Sequence, residues 1–564
     1  MSSKQIAGTV LIFFIVMSAG KYPAQDVNDE RRVPASLQHG LDVIDGRNLL
    51  SHVKVLASDE FEGRAPGTRG EDLTVKYLTE QFKAAGAAPG NPNGTYIQRV
   101  PLVGYRTTPK IEVEVNGNSI PFAFYEDFVH DYPRLTPQVS VNSAKIVFAG
   151  FGITAPQYGW NDYKNIDVKN KLVIVLSGEP SRSIKGNQDK LDSEFFKGSF
   201  RTYYSTRESK YEEAAKRGAA GVLVIYDSEK ARTFSLYQTF ARTEGQNLKP
   251  AVNHYAPAIA GLVTTKATKR IFAAENKDFD SIVEAASRSD FRPLALDASA
   301  AITITSKLRS ITSRNVVAKV VGSDPRMRNE YVIYTAHWDA LGKDESLKGD
   351  QIYNGANDNA IGTGQLIEVA RAFAALKRKP RRSILFIATT AEEKGFLGAK
   401  YYAQRPLYPI SATVANINLD AGNFFGLTRD LDSAGYGNST IDDILDTAAR
   451  MQGRVFLKGS VDETGGYYFA SDQIEFAKVG IPAAFPWSAD DYVGKAAGYG
   501  EKVWDDYGAQ RYHKVTDEVM PSWDTTGAVE DSRWFAIAGY LIANGRERPQ
   551  WHPTSEFARI RSRL

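Results

Sequence analysis

The sequence predicts an α/β protein with a mixed, mostly parallel central sheet flanked by helices, into which a smaller, β-rich α/β domain is inserted. Three apolar runs rich in β-branched residues support this fold, and they begin at Tyr331, Ser383 and Ala412. Each run is bounded by turn residues, which is typical of buried parallel strands. At 564 residues the chain is too long for one ordinary core, so we expect two or more domains.

Composition narrows the classes of function. The apolar fraction is 43% and the charged fraction 24%, which is ordinary for a globular protein. The net charge is only +3, so nothing favours nucleic acid as a partner. The chain contains no cysteine, which excludes disulfides and thiolate metal sites. Any metal must therefore be bound by carboxylates and imidazoles.

Residues 1–20 have the pattern of a secretory signal peptide. Lys4 precedes an apolar run at residues 6–17, and the small residues Ser18, Ala19 and Gly20 follow it. This order of basic, apolar and small residues is typical of such signals, and the run is short for a membrane span. We expect a periplasmic or secreted protein without stable membrane insertion after cleavage. An uncleaved anchor is the alternative.

The N-terminal part, residues 21–140, is predicted to belong to the larger domain. Leu49, Val53 and Leu56 recur at helical spacing, and a second amphipathic helix is predicted at residues 71–84. A Gly/Pro-rich loop at 58–70 separates the two helices. It is either a simple turn or, through Arg64, a segment that reaches the rim of a site. Alternating residues near 110–115 predict a half-buried strand.

We predict that residues 141–305 form the inserted domain. Their sequence pattern indicates short buried strands near 144–152, 171–178 and 221–227, together with a helix at 211–218. This block contains no cluster of potential ligands. Residues 306–550 form the remaining domain. Its predicted elements are helices at 360–376, 441–451 and 530–543, a strand at 480–485, and an aromatic loop at 504–512.

Acidic and histidine side chains follow the three apolar runs of this last domain. They are His337, Asp339, Asp358, Glu392, Glu393 and Asp420, and His513 lies further along the chain. Parallel strands gather such groups at one edge of a sheet. Zinc without thiolates prefers imidazole and carboxylate ligands. Two ions about 3.5–4 Å apart can share a bridging carboxylate. Apart from Asp339, this set supplies five ligands for two zinc ions (Zn²⁺) and one carboxylate that stays free as a base.

The adjacent Glu392 and Glu393 fit a division of roles in which one binds metal and the other faces a water molecule. Asp339 is placed to accept a hydrogen bond from the imidazole of His337. Simpler explanations exist for each residue alone: Asp358 could cap a helix, the glutamates could lie in a solvated turn, and His513 could be a surface histidine. Their convergence on one sheet edge favours a joint site.

Four segments resemble the signature blocks of the M28 family of di-zinc peptidases. They are YVIYTAHWDALG (331–342), NGANDNAIGTG (354–364), RRSILFIATTAEEKGFLG (381–398) and NINLD (416–420). A segment resembling the family's LASDEFEGR stretch occurs near residue 60. The resemblance implies a zinc-peptidase fold of the leucyl aminopeptidase type. Residues 141–305 resemble the protease-associated domain that many members carry as an insertion.

The resemblance also implies a role for each residue. Asp358 would bridge both zinc ions, with His337 and Asp420 completing one, and Glu393 and His513 the other. Glu392 would be the general base. Tyr468 and Ser471 resemble positions that support an oxyanion, although Gln473 stands where relatives often have histidine.

Together these features predict a di-zinc exopeptidase acting on peptides, with aminopeptidase as the leading activity. A carboxypeptidase, a dipeptidase or a glutaminyl cyclase would keep the same fold. A receptor-like binding protein without catalysis is a further alternative, but such relatives lose metal ligands that this chain keeps. Side-chain specificity, oligomeric state and the role of the insertion do not follow from the sequence.

Overall fold

The computed structural model describes residues 32–131, 134–184, 187–226, 232–249, 257–459 and 466–561. The predicted signal peptide, residues 1–20, lies outside these ranges. Among the described residues, none of the helices has both the length and the apolar character needed to cross a bilayer. The α-helices, in chain order, are α1 (Ala35–Asp42), α2 (Gly46–Leu56), α3 (Arg69–Ala84), α4 (Arg207–Lys216), α5 (Arg232–Arg242), α6 (Thr265–Ala274), α7 (Phe279–Ala286), α8 (Ile361–Ala375), α9 (Leu397–Gln404), α10 (Ile441–Met451), α11 (Gln473–Ala477), α12 (Tyr499–Gln510), α13 (Thr526–Asn544) and α14 (Ala558–Arg561).

The strands of the first half precede residue 265. They are β1 (Ala88–Pro89), β2 (Ile97–Val115), β3 (Asn118–Ile120), β4 (Phe128–His130), β5 (Gln138–Phe148), β6 (Thr154–Ala155), β7 (Trp160–Asn161), β8 (Leu172–Leu176), β9 (Ser183–Ile184), β10 (Asn187–Leu191), β11 (Gly221–Tyr226), β12 (Gly245–Leu248) and β13 (Ile259–Thr264). The strands of the second half are β14 (Leu294–Val320), β15 (Tyr331–His337), β16 (Gly342–Lys343), β17 (Ile352–Tyr353), β18 (Ser383–Thr389), β19 (Thr413–Asn418), β20 (Asp430–Ala434), β21 (Val455–Phe456) and β22 (Ala483–Ser488).

One extended sheet joins both halves, with the strand order β21-β20-β22-β19-β15-β18-β14-β5-β8-β11-β13-β4. The 27-residue strand β14 links them. Its last residues pair with β18, its first residues pair with β5, and β2 pairs with it over most of its length. The two parts of the protein are therefore connected through continuous backbone hydrogen bonding.

The predicted α/β fold is confirmed in the second half. Strands β18, β15, β19 and β22 are mutually parallel, and β14 joins β18 antiparallel. The three apolar runs of the sequence are β15, β18 and β19, and every one of their residues is buried. Helices α2, α8 and α13 pack on one face of this sheet, while α9 and α11 cover the other. Continuous apolar runs are what burial on both faces requires.

A second apolar core is built from residues 111–304, with Phe148, Leu223 and Ile259 among its members. A smaller cluster within the same region packs on the opposite face of the strands. This core draws on Ile111, Val113 and Phe128 as well, which lie ahead of the predicted start of the insertion at residue 141. The long strands β2 and β14 contribute to both cores, so no flexible linker separates them in the described chain.

The prediction of an aromatic loop at 504–512 is wrong. Helix α12 covers Tyr499–Gln510, beginning directly after Gly498, whose φ is 79°. Trp504 and Tyr507 lie three residues apart and pack edge to face, with ring centroids 5.9 Å apart. The other residues between them and up to Gln510 are charged, polar or small. Only these two aromatic side chains therefore show the spacing of a helix in the sequence. That is too few for the pattern to be recognised.

Candidate metal centre

Most of the predicted ligands lie at one edge of the sheet, just after the carboxyl ends of the parallel strands. His337 is the last residue of β15, Glu392 and Glu393 follow β18 by a few residues, and Asp420 follows β19 by two. Asp358 lies in the tight turn before α8. It does not cap that helix, because Ala360 occupies the N-cap position. His513 follows α12. The fold thus brings residues that are distant in sequence to one place, as ligand sites of such sheets require.

The first group of side chains surrounds His337. Its Nε2 lies 3.1 Å from Asp420 Oδ1, 3.1 Å from Asp358 Oδ1 and 3.9 Å from Glu392 Oε2. The second group surrounds His513. Its Nε2 lies 3.0 Å from Asp358 Oδ2 and 3.2 Å from Glu393 Oε2. The two oxygens of Asp358 therefore face different imidazoles.

This donor set fits two zinc ions. Ligand atoms at about 2.0–2.1 Å around a tetrahedral zinc lie about 3.3 Å from one another. The four contacts between the imidazoles and Asp358, Glu393 or Asp420 measure 3.0–3.2 Å, close to that spacing. A carboxylate that faces both groups, as Asp358 does, is the bridge that a paired site needs. All five predicted ligands are brought together, and Glu392 stands at the greater distance of 3.9 Å.

The charges of the site favour the binding of cations. Burial raises the pKa of Glu392 well above its usual range, and the carboxylates of Asp420 and Glu393 add to this effect. Burial would lower the pKa of His337, but Asp420 and Glu392 outweigh it and raise that pKa. The same balance, with Glu393 as the main partner, raises the pKa of His513 to about 10. The carboxylates therefore favour positive charge between them.

Asp339 supports the site through both its main chain and its side chain. The Nδ1 of His337 lies 3.1 Å from the main-chain carbonyl oxygen of Asp339 and 3.7 Å from its carboxylate. The carboxylate instead accepts hydrogen bonds from the backbone N–H groups of Glu392, at 3.1 Å, and Glu393, at 3.4 Å. One residue therefore orients the imidazole and fixes the backbone of both glutamates.

Asp517 is a supporting residue that sequence reasoning missed. Its buried carboxylate accepts hydrogen bonds from the backbone N–H groups of Asn357 and Asp358 at 3.0–3.2 Å, and burial raises its pKa to about 7. Asn359 links the same turn to the loop after β19, since its Nδ2 donates to the carbonyl of Leu419 at 2.9 Å. These contacts hold Asp358 against Asp420. No local pattern in the sequence indicates them.

Arg64 is buried next to the segments that bear the ligands, and it does not lie on the rim of the site. Its fully buried guanidinium donates to the carbonyl oxygens of Trp338 at 2.7 Å, Asn354 at 2.6 Å and Gly355 at 2.8 Å. A fourth bond, of 2.6 Å, goes to Leu56. Trp338 directly follows His337, and Gly355 begins the turn that bears Asp358. Arg64 therefore ties the first two ligand-bearing segments together.

The two residues predicted to support an oxyanion have different surroundings. The Ser471 hydroxyl donates to Asp420 Oδ2 at 2.5 Å and accepts from the side chain of Asn418 at 2.8 Å. Ser471 thus holds a ligand in position. The Tyr468 ring is buried in an apolar cluster with Phe557, and its hydroxyl donates to the carbonyl of Ala483 at 3.2 Å. The oxyanion role of Tyr468 stays a prediction, and this hydrogen bond does not favour it.

Comparison with known proteins agrees with the geometry. Residues 315–536 match the family model described as Peptidase family M28. A probable zinc metalloprotease of Pyrenophora teres f. teres is 35% identical over 127 residues, which are 21% of this chain and 25% of that protein. Aminopeptidase NAALADL1 of Mus musculus is 32% identical over 133 residues, which are 22% of this chain and 16% of that protein. The chain therefore matches a quarter or less of the length of these curated relatives.

Among solved structures, the aminopeptidase from Aneurinibacillus sp. strain AM-1 aligns with a TM-score of 0.50 at 19% sequence identity. The alignment covers 91% of this chain and 97% of that one. At this level of identity the similarity shows a shared fold. It extends over both halves of the chain, including the region of the second core.

Replacing Arg64 tests whether the buried guanidinium preorganises the site. We expect Arg64→Met to weaken zinc binding by about 10- to 100-fold, because three carbonyl groups beside the ligands lose their donor. Arg69→Met is the matched control, since Arg69 is an exposed arginine of the same segment. Zinc affinity is measured by competition with a chromophoric chelator, and circular dichroism checks the fold. Equal affinity in both variants would contradict the anchoring role.

Proposed function

We propose that this chain is a di-zinc exopeptidase and that it acts as an aminopeptidase, and the match of residues 315–536 to the model of peptidase family M28 supports this proposal. The observation that carries the proposal is the division of the carboxylates. Asp358 faces both imidazoles, Asp420 and Glu393 each face one at 3.1–3.2 Å, and Glu392 lies further from His337, at 3.9 Å. This leaves one buried carboxylate beside the ligands for proton transfer.

Two bound zinc ions would lower the pKa of a water molecule and polarise the scissile carbonyl group. His337 and Asp420 would hold one ion, Glu393 and His513 the other, and Asp358 both. The Ser471 hydroxyl holds the Asp420 side chain. Asp339 fixes the backbone of the two glutamates, and Asp517 fixes the backbone at Asp358. Such fixed ligands are what a preorganised site needs.

Glu392 is the proposed general base. Its carboxylate takes a proton from the attacking water and donates it to the nitrogen of the departing amine, while the C–N bond breaks. Burial raises its pKa, and nearby cations would bring that pKa back toward neutrality. A carboxylate with a pKa near the working pH can both accept and release the proton.

The preference for an aminopeptidase is supported by two of the similar proteins, the enzymes of Mus musculus and Aneurinibacillus, which bear that name. We further propose that residues 141–305 form an inserted protease-associated domain between residues 21–140 and the catalytic part at 306–550. From its N-terminal sequence, we propose that the protein is periplasmic or secreted.

Substituting the base tests the mechanism. We expect Glu392→Gln to lower kcat by about 100- to 10,000-fold, because the amide cannot accept the proton, while the bound zinc is unchanged. Glu345→Gln is the control, since the Glu345 side chain is 83% exposed. Steady-state hydrolysis of leucine p-nitroanilide and elemental analysis provide the readouts. Near-normal turnover of the Glu392→Gln variant would show that another group is the base.

Blocking the substrate N-terminus tests the type of exopeptidase. We expect N-acetylation of a leucyl peptide to reduce kcat/KM by at least about 100-fold, because the acid-rich site loses a cationic amine to bind. Mass spectrometry of the products identifies the bond cleaved. Release of C-terminal residues from blocked peptides would indicate a carboxypeptidase, and pyroglutamate from a glutaminyl peptide would indicate a cyclase.

A further inference from the structure

Helix α5 belongs to the region of the insertion, yet it reaches the metal centre. The ring of Phe240, near the end of α5, has its centroid 5.5 Å from that of His513, with the planes tilted by 60°. Phe240 is partly exposed. The side chain of His513 is also not closed off completely, with 9% of its surface accessible. An aromatic residue of the insertion therefore contacts a predicted metal ligand at an opening to solvent.

A second contact joins the same ring to the residue that follows another predicted ligand. The Nζ of Lys394 lies 5.8 Å from the centroid of Phe240 and 3.4 Å from the hydroxyl of Thr243. Lys394 directly follows Glu393, which shares the second ligand group with His513. The end of α5 thus docks on both segments that bear this group, through an aromatic contact, a cation–π contact and a weak hydrogen bond.

The chain after α5 is fixed to the rest of the protein. Glu244 forms a bidentate ion pair with Arg309, with both N–O distances 2.6 Å. Strand β12 then pairs antiparallel with residues 102–105 of β2. The side chain of Gln246 donates to the carbonyl of Pro66 at 3.2 Å. These three attachments fix the chain directly after α5, and they help to position Phe240 at the rim of the site.

Tyr512 is the second aromatic ring at His513. Its centroid lies 3.8 Å from that of the imidazole in a stacked arrangement, and the residue is 44% exposed. Asp420 and Glu392 keep 14% and 10% of their side-chain surface accessible. Apolar ring surface thus borders an open, strongly polar centre, which is the composition of a site that binds a side chain next to a reacting group.

We propose that Phe240 and Tyr512 form an apolar wall that contacts the substrate side chain beside the scissile bond, so that the site favours bulky apolar residues such as leucine and phenylalanine over alanine. The insertion then supplies a specificity-determining residue and completes the substrate site. This inference rests on the proposed function for the identity of the substrate. The side-chain pocket at the metal centre can nevertheless be tested by ligand binding, without measuring hydrolysis.

The test compares the binding of leucine hydroxamate and alanine hydroxamate to the zinc-loaded full-length protein by calorimetry. Both ligands chelate metal through the same group and differ only in the side chain. We expect the wild-type protein to bind the leucine derivative more tightly. In Phe240→Ala and in Tyr512→Ala, this preference falls about five- to tenfold, with zinc content unchanged. Phe291→Ala is the control, because Phe291 is a partly buried phenylalanine that packs on Phe148 within the second core.

Phe240→Leu provides an independent check, since it keeps apolar bulk at α5 and should retain part of the preference even if the alanine variant is destabilised. Equal weakening of both hydroxamates, or loss of zinc, would mean that Phe240 only shields His513 and would overturn the proposal. An unchanged preference in both Phe240 variants would also overturn it. Failure to hydrolyse peptides would instead count against the proposed function, because hydroxamate binding does not require catalysis.

Discussion

The fold brings four carboxylates, Asp358, Glu392, Glu393 and Asp420, into one mostly buried space, and this charge is the constraint on which the site depends. Within the described part of the chain, the ion pairs of these carboxylates are made with only two partners, His337 and His513. Buried charge is costly unless it is paired. Two imidazoles alone do not neutralise four carboxylates at neutral pH. Divalent cations bound among these side chains would supply the missing charge, and the 3.0–3.2 Å spacing of the ligand atoms suits them.

The surrounding structure keeps the ligands from relaxing away from one another. Arg64 is fully buried close to these acids, but its hydrogen bonds go to carbonyl oxygens and it binds none of the four carboxylates directly. Its charge contributes at longer range, while its geometry fixes the segments around His337 and Asp358. Asp517 fixes the turn of Asp358 from the other side. Preorganisation of this kind is expected where a site must hold mutually repelling groups close together.

Much of this arrangement could be predicted from the sequence, because the signals for it lie in short stretches of neighbouring residues. The runs at Tyr331, Ser383 and Ala412 are continuous and apolar, so both their strand character and the position of the acids after them follow from short-range pattern. The roles of Asp517 and Arg64 depend on contacts between residues more than 150 positions apart, which no local pattern encodes. The helix at Trp504 is not predicted because only Gly500 and Tyr507 of its residues are fully buried, which leaves no periodic apolar pattern to recognise. The contact of Phe240 with His513 likewise requires the path of the insertion in three dimensions.

The most direct test of the account is the location of the metal itself. Crystals of the zinc-loaded protein, measured on both sides of the zinc absorption edge, should show two anomalous peaks about 3.5–4 Å apart. One peak should contact His337 and Asp420, the other Glu393 and His513, and Asp358 should contact both. A single peak, or two peaks of which Asp358 touches only one, would contradict the account of a bridged pair.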